Sequence, residues 1–242
     1  MCLRLSMWSG PRNVSTALMY SFRQRSDTLV FDEPLYGHYL KVSGADHPGK
    51  DEVMAAMATD GDRVSQDVLL APCEKPIRFY KNMAHHLLGL ERTFLTQMTN
   101  ILLIRNPREM LPSLAQQLPQ PSLRDTGLKE QLELLDIMVQ TAQTPVVLDA
   151  KELLLNPKAV LSEACQRLAI PFDEAMLTWP MGAKPEDGIW AKHWYKNVHA
   201  STSFEKYEAK EQPFPEHLKV LLGECLPLYE RLYEHAIKAP RD

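Results

Sequence analysis

Short apolar segments that alternate with helical patterns restrict the fold of this 242-residue chain more than any other feature of its sequence. Five of them have the length and composition of β-strands, namely Leu3–Trp8, Thr28–Phe31, Ile77–Tyr80, Asn100–Ile104 and Pro145–Leu148. Helical spacing follows the first, fourth and fifth segments, at Ser15–Phe22, Pro107–Gln117 and Glu152–Leu168. Because strands separated by helices pair in the same direction, the pattern predicts an α/β fold with a parallel central sheet flanked by helices.

Two regions depart from this alternation, and each is predicted to cover the sheet. Val42–Pro76 mixes Gly, Pro, Asp and Ser residues around one helix candidate at Asp51–Met57, which is typical of a lid or loop-rich insertion. Trp179–Glu211, the cover segment, is irregular and rich in aromatic residues. A helix at Pro215–Ile237 closes the chain, and residues 1–242 are predicted to form one domain.

Charge, hydropathy and cysteine usage exclude several kinds of partner. The net charge of −4 is spread along the chain without a Lys/Arg block, so no nucleic acid polymer is expected as a partner. The sequence has no long apolar run and no secretory leader pattern, which predicts no membrane span and a cytoplasmic location. The four cysteines are far apart, so neither a disulfide framework nor a zinc site is expected. The oligomeric state is left open.

The first strand runs through a turn directly into a helix. Unpaired N–H groups and a partial positive charge at a helix N-terminus can hold a phosphate or sulfate group. The candidate binding residues of this phosphate loop are Gly10, Pro11, Arg12, Asn13, Val14, Ser15 and Thr16. The loop is not a Walker A loop, because no lysine precedes its hydroxyl residues. An ordinary helix start capped by Ser or Asn is the alternative interpretation.

The segment PRNVSTAL, residues 11–18, resembles the 5′-phosphosulfate-binding loop of the PAPS-dependent sulfotransferases, commonly P-[KR]-S-G-[ST]-[ST]-x-L. The resemblance puts Arg12 at the cation position and Ser15 and Thr16 at the hydroxyl positions. It implies a P-loop nucleotide-binding type of fold. Asn13 and Val14 replace the usual Ser-Gly, and a valine would crowd backbone that lies close to a phosphate. The loop is therefore expected to open differently or to bind less tightly.

A second motif joins the fourth strand to the next helix. Arg105 ends the apolar strand, and Ser113 follows eight residues later. This spacing resembles the family's 3′-phosphate motif, which implies that Arg105 and Ser113 grip the 3′-phosphate of PAPS. Without that role, Arg105 would be a surface cation beside Glu109, and Ser113 would be an ordinary helix hydroxyl.

Transfer to a hydroxyl needs a group that accepts its proton, and Glu33 is the first candidate. It lies before Pro34 at the predicted end of the second strand, 21 residues after Arg12. A glutamate at about this place is the base in the tyrosylprotein and heparan branches of the family, so the resemblance implies the same role here. Asp32 is an alternative base. Glu33 could also pair with a cation or cap the helix expected near Leu35.

His85 and His86 are competing candidates for the base. In the cytosolic branch a histidine that follows a lysine after the third strand is the base, and KNMAHH, residues 81–86, loosely resembles that region. A histidine is a reasonable base near neutral pH. A surface histidine without a catalytic role is the alternative. Neighbouring histidines diverge in regular structure and no third ligand is spaced to join them, so no metal is expected.

The resemblance implies an enzyme that moves a sulfuryl group from PAPS to an acceptor hydroxyl and releases PAP. Arg12 would then stabilise charge on the departing phosphate, as a preorganised electrostatic group does. The sequence does not indicate the acceptor. A P-loop kinase or nucleotide phosphohydrolase stays open because Asp149 ends a strand, although no lysine accompanies it in the loop. A catalytically silent nucleotide-binding module stays open because of Val14.

Overall fold

A computed structural model describes residues 2–209 and 212–241. Its six strands are Leu3–Ser9 (β1), Thr28–Asp32 (β2), Ile77–Met83 (β3), Thr99–Ile104 (β4), Val146–Asp149 (β5) and Ala236–Ile237 (β6). They form one sheet in the order β2-β3-β1-β4-β5-β6, and every neighbouring pair is parallel. The predicted parallel α/β architecture is confirmed.

Helices connect the strands and cover the sheet. The α-helices are Ser15–Arg23 (α1), Tyr36–Ser43 (α2), Lys50–Ala56 (α3), Gly61–Val64 (α4), Pro107–Ala115 (α5), Leu123–Thr126 (α6), Leu128–Gln140 (α7), Ala150–Leu155 (α8), Pro157–Arg167 (α9), Ala191–Trp194 (α10), Lys196–His199 (α11) and Lys219–Glu234 (α12). A single π-helical turn at Ser65–Leu69 and short 3-10 turns, one of them at Ala84–Leu87, complete the connections.

Alternating side chains of the strands enter two different cores. In β1, Trp8 joins the apolar cluster on one face of the sheet, whereas Leu5 and Met7 join the cluster on the other face. In β4, Leu102 and Leu103 divide in the same way. A parallel sheet buried on both faces reads as a nearly continuous apolar run, which is why these strands could be found in the sequence.

The order of the strands places the site. From β1 in the centre, the chain goes first to β2 and β3 on one side and then crosses to β4, β5 and β6 on the other. In open α/β sheets, ligands bind beyond the carboxyl ends of the strands where the direction of winding changes. The loops that follow β1 to β4 therefore meet at one edge of the sheet.

The structure corrects several details of the predicted helices and strands. The closing helix ends at Glu234, and the residues that follow it form β6, which was not predicted. The helix expected over 152–168 is two helices, because Asn156 caps α9 and Pro157 begins it. The 42–76 region carries more helix than the single candidate, including α4 and the π turn.

Cysteine pairing also differs from the expectation. Cys2 and Cys73 are joined by a disulfide, with Cα atoms 5.7 Å apart. The pair was missed because its two residues are 71 positions apart in the sequence and meet only where β1 lies beside β3. Cys165 and Cys225 are buried free thiols.

Within residues 2–209 and 212–241, no helix is both long and apolar enough to cross a membrane.

Candidate active site

A cavity of about 420 Å³ lies at the carboxyl ends of β1 to β4. Its walls include almost all of the predicted site residues, namely Pro11, Arg12, Asn13, Val14, Ser15, Thr16, Glu33, His85, His86, Arg105 and Ser113. Gly10, the first residue of the loop, is not among the lining residues. A Cβ atom on Gly10 would come within 2.8 Å of the backbone oxygen of Thr126, so this close approach requires glycine.

The phosphate loop presents the N-terminus of α1 to the cavity. No side chain caps this helix, whose N-cap is Val14. Asn13 instead ties the loop to the sheet: its Oδ1 accepts from the Val14 N–H at 2.8 Å, and its Nδ2 donates to the Leu103 carbonyl at 3.1 Å. Arg12 has a left-handed backbone, with φ of 53°. The first turn of α1 is therefore open to an anion.

Val14 and its neighbours explain how a valine fits in this loop. The Val14 side chain packs against the apolar core that contains Leu18 and Met19 of the same helix. Ser15 and Thr16 begin α1 and are buried along the cavity wall. The Val14 side chain thus packs on the core and also lines the cavity.

Two arginines from different motifs meet beside the loop. Arg12 Nε donates to Ser113 Oγ at 3.0 Å, and Arg105 Nη1 donates to the Arg12 carbonyl at 2.6 Å. Glu109 lies 3.5 Å from Arg105. Burial and the positive charge of Arg105 lower the pKa of Arg12. Two guanidinium groups with one carboxylate beside them, which is paired with Arg105, give this group of side chains a net positive charge.

The last residue of β2 and the residue that follows it, Asp32 and Glu33, contribute the carboxylates. Glu33 follows the strand directly with a left-handed backbone, φ 44°, and its N–H donates to the Lys81 carbonyl at 2.8 Å. The parallel register sets Asp32 beside Lys81. Lys81 Nζ donates to Asp32 at 2.9 Å, to Glu33 and to Tyr195 Oη at 2.5 Å. Asp32, Glu33, Lys81 and Tyr195 form a buried base cluster.

The charges of the base cluster shift its pKa values. Burial raises the pKa of Glu33, and the Asp32 charge raises it further, while Lys81 opposes both. Burial by itself would lower the pKa of Lys81, but Asp32 and Glu33 raise it well above its ordinary value. Burial first and the nearby charge of Asp32 second are the reasons that Glu33 holds a proton more readily than an exposed glutamate.

Asp32 and Glu33 differ in access to the cavity. The Asp32 side chain is 1% exposed, and it accepts hydrogen bonds from Lys81, Tyr195 and the Gly188 N–H. The Glu33 side chain is 10% exposed and lines the cavity. Of the two carboxylates, Glu33 is the one that faces a bound molecule.

His85 and His86 lie in the 3-10 turn after β3 and are both buried. Tyr36 and Tyr39 each stack on His86, with ring centroids 5.1 and 4.8 Å apart. Burial lowers the pKa of His85 to about 3 and that of His86 well below its ordinary value. Within the described ranges, neither Nδ1 atom has a hydrogen-bond partner. Both rings are neutral near pH 7.

Aromatic rings surround the cavity next to Glu33, with centroids of neighbouring rings 4.7 to 6.2 Å apart. This aromatic chamber consists of Tyr36, Tyr39, His47, His85, His86, Trp190 and Trp194. The Tyr36 N–H donates to the Glu33 carbonyl at 3.0 Å, which joins the chamber to the base cluster. Burial lowers the pKa of His47 as well.

Sequence reasoning missed two members of the base cluster, Lys81 and Tyr195. Lys81 carried a usable signal, because a lysine at the end of an otherwise buried strand needs a partner of opposite charge. Tyr195 carried none, since it lies in an irregular segment 114 residues from Lys81.

Across residues 2–209 and 212–241, no three His, Cys, Asp or Glu side chains are grouped to hold a metal ion.

The family of the chain follows from its sequence. A family model described as "Sulfotransferase domain" matches residues 3–236. The chain belongs to the sulfotransferase family. Two Arabidopsis thaliana relatives, "Branched-chain-amino-acid aminotransferase-like protein 2" and "1", are each 42% identical over 229 residues, which is 94% of this chain and 41% of each relative. The sulfotransferase-family chain thus spans less than half the length of these curated relatives.

Solved structures share the fold at low sequence identity. The "Sulfotransferase Domain from the Curacin Biosynthetic Pathway" has a TM-score of 0.54 and 15% identity, covering 93% of this chain and 97% of that chain. The sulfotransferase domain of the Synechococcus PCC 7002 olefin synthase also has a TM-score of 0.54 and 15% identity, covering 92% and 94%. These likenesses confirm the predicted fold class, a P-loop-like parallel sheet flanked by helices.

Proposed function

We propose that this sulfotransferase-family chain moves a sulfuryl group from PAPS to a hydroxyl of an acceptor and releases PAP. The observation that carries the proposal is one cavity in which an uncapped helix N-terminus and two arginines adjoin a buried carboxylate paired with a lysine. The helix N-terminus and the two arginines have the positive charge to hold a phosphosulfate. The carboxylate can accept a proton.

The residues of the cavity fit the donor. Arg12, Ser15, Thr16 and the first amides of α1 would hold the 5′-phosphosulfate. Arg105 and Ser113 would hold the 3′-phosphate. Arg12 borders both groups, because its guanidinium already donates to Ser113. Each hydrogen bond to a charged group contributes about 1.5–3 kcal/mol, so a few of them suffice for micromolar binding.

Glu33 is the proposed base. Its carboxylate lines the cavity and has a raised pKa, which makes it a stronger proton acceptor than an exposed glutamate. Glu33 takes the hydroxyl proton as the acceptor oxygen bonds to sulfur. Arg12 and the N-terminus of α1 stabilise the negative charge on the departing phosphate oxygen. The donor supplies the electrophilic sulfur and the leaving group.

The other candidate bases fit the role less well. Asp32 is withdrawn from the cavity behind three hydrogen-bond partners. His85, with a pKa of about 3, is a weak base at neutral pH. The pKa of His86 is lowered as well. We assign the two histidines to the wall of the aromatic chamber and not to proton transfer.

The aromatic chamber supports an uncharged acceptor. Among the described residues, the lysine and arginine side chains along the cavity are Arg12, Arg105 and Lys81, and Lys81 is neutralised by its carboxylates. The chamber therefore offers no cation to an acceptor that bears a carboxylate or phosphate. Its aromatic rings, most of them buried, favour a hydroxyl compound with an apolar, flat body that bears neither a carboxylate nor a phosphate.

Transfer of labelled sulfate from PAPS to a panel of hydroxyl compounds tests the proposal. Pairs that differ only in an added carboxylate or phosphate separate uncharged from anionic acceptors, and the uncharged member of each pair is expected to react. Thermal shifts with PAP, PAPS, ADP and ATP identify the nucleotide, because a ligand specific for the folded state stabilises it by mass action. Stabilisation by ATP alone, with Mg²⁺-dependent turnover, would instead identify a phosphoryl-transfer enzyme.

A further inference from the structure

Tyr195 reaches from the cover segment into the base cluster. It lies between α10 and α11 and is 5% exposed. Its Oη donates to Asp32, with 2.8 Å to each carboxylate oxygen, and accepts from Lys81 at 2.5 Å and from Trp190 Nε1 at 3.2 Å. A phenol has one donor and two acceptor positions, so every hydrogen-bonding position of Tyr195 is used.

Lys81, like Tyr195, uses every hydrogen-bonding position of its polar group. An ammonium group has three N–H donors, and Lys81 directs them to Asp32, Glu33 and Tyr195. The three partners fix the nitrogen in one position. Because only Glu33 among them is proposed to act on substrate, the other two set where the ammonium stands relative to the base.

Asp32, which is paired with Lys81, contacts the cover segment at a second residue besides Tyr195. Its Oδ2 accepts from the Gly188 N–H at 3.0 Å, in addition to Tyr195. The Asp32 side chain is 1% exposed and is not part of the cavity wall. Neither Asp32 nor its contact with Gly188 is placed to touch a bound molecule.

We propose that Tyr195 and Asp32 are positioning residues of sulfuryl transfer, which together hold the Lys81 ammonium against the Glu33 carboxylate. The inference rests on the proposed function, in which Glu33 is the base. It adds that the cover segment completes the base cluster: without Tyr195, one donor of Lys81 and one acceptor position of Asp32 lose their partner inside the protein.

The groups that face the cluster determine the pH dependence of the reaction. Those around Glu33 and Lys81 are Asp32, Tyr195, Tyr36, Tyr20 and His86. The Asp32 charge raises the pKa of Glu33. Tyr195 donates its hydroxyl proton to Asp32 and so disperses that charge, which means that loss of the hydroxyl should raise the pKa of Glu33 further. The two positioning residues thus act on the base in opposite directions. A residue that only supports the fold would not produce this pattern.

Two variants test the inference, each by the pH dependence of kcat/KM, by the affinity for PAP and by the melting temperature. Tyr195→Phe removes only the hydroxyl. We expect kcat to fall roughly 10- to 100-fold, the equivalent of one hydrogen bond to a charged group, with unchanged PAP affinity. The acid limb of the pH profile is expected to move to higher pH.

Asp32→Asn removes the charge and keeps an acceptor oxygen, and it is expected to move the acid limb to lower pH. Tyr233→Phe is the matched control, because Tyr233 also donates to a buried carboxylate, that of Glu152, away from the cavity. It is expected to keep the wild-type rate and pH profile. If Tyr195→Phe does not fold, the Asp32→Asn variant tests the inference alone: a shift of the acid limb to lower pH supports it, and an unchanged acid limb overturns it.

The outcomes separate this inference from the proposed function. A wild-type protein that transfers no sulfate overturns the proposed function and the inference with it. A Glu33→Gln variant that transfers sulfate normally overturns Glu33 as the base, and the inference with it, but leaves sulfuryl transfer standing. An inactive Glu33→Gln beside Tyr195→Phe and Asp32→Asn variants with wild-type rates and pH profiles overturns the inference alone. Opposite shifts of the acid limb support it.

Discussion

The phosphate loop and the base cluster, the two working parts of the cavity, differ in how their residues are brought together. The phosphate loop is one run of neighbouring residues, and what it offers an anion is mainly backbone N–H at the start of α1. The base cluster joins β2, β3 and the cover segment, with Tyr195 163 residues from Asp32. Its chemistry depends on buried charges that must all be paired.

This difference determines which substitutions each part tolerates. If the loop binds an anion through its backbone, as proposed, it should accept altered side chains such as Asn13, which bonds to the sheet, and Val14, which packs on the core. A cluster of buried charges has no such freedom, because loss of one member leaves another charge without a partner. Substitutions in the base cluster should therefore lower activity or stability more than substitutions in the loop do.

The largest expected effect is on catalysis. Glu33→Gln keeps the size of the side chain and removes the basic carboxylate, so the rate of transfer should fall roughly 10²–10⁴-fold with PAP affinity retained. In the wild type, kcat/KM should rise with pH as Glu33 loses its proton, through an apparent pKa above the ordinary value for glutamate, because burial raises it. Steady-state kinetics across pH measures both.

Glu133→Gln is the control for this substitution, since Glu133 is an exposed partner of Arg92 outside the cavity. It should leave the rate unchanged. A Glu33→Gln enzyme with the wild-type rate would remove the distinction between the two parts of the cavity and reopen Asp32 as the base.

Loss of the central cation should have the next largest effect, this time on stability. Lys81→Met leaves Asp32 and Glu33 buried without their ammonium, and the free energy of unfolding should fall by about 3–5 kcal/mol. Urea denaturation measures the loss. Lys192→Met, which breaks the exposed ion pair with Glu52, should change stability by no more than about 1 kcal/mol. Similar losses in the two variants would contradict a buried, fully paired Lys81.

Arg105→Ala should have an intermediate effect that is specific to one nucleotide. PAP is expected to stabilise the wild type more than 5′-AMP does, and the variant should lose about 1.5–3 kcal/mol of PAP binding while binding 5′-AMP as before. Calorimetry with both nucleotides measures the difference. The neighbouring, exposed Arg108 provides the control, Arg108→Ala. Equal losses for PAP and 5′-AMP would argue against a 3′-phosphate contact.

Val14→Gly should have the smallest effect and is the sharpest test of tolerance in the loop. It restores the residue usual in the family loop and removes a side chain that packs on the core. Stability should fall by about 1 kcal/mol, and PAP affinity should stay close to that of the wild type, since the helix N-terminus is already open. A large gain in affinity would mean that the valine obstructs the anion.

Much of the fold could be predicted because its signals are local. Strands buried on both faces are short apolar runs, and five of the six were found; β6 was missed because its two residues have too little pattern of their own. The phosphate loop and Arg105 were found for the same reason, since each directly follows an apolar strand. Their assigned roles stay predictions.

The helices and strands, their approximate order and the side chains that stand where a strand ends could be predicted from the amino-acid sequence. The folded chain was needed to see which of these side chains meet: Arg12 with Ser113, Lys81 with both carboxylates, and Tyr195 with Asp32. Hydrophobic pattern and helix capping act between neighbours in the chain, whereas the pairing of buried charges is set by strand register and by the packing of an irregular cover segment.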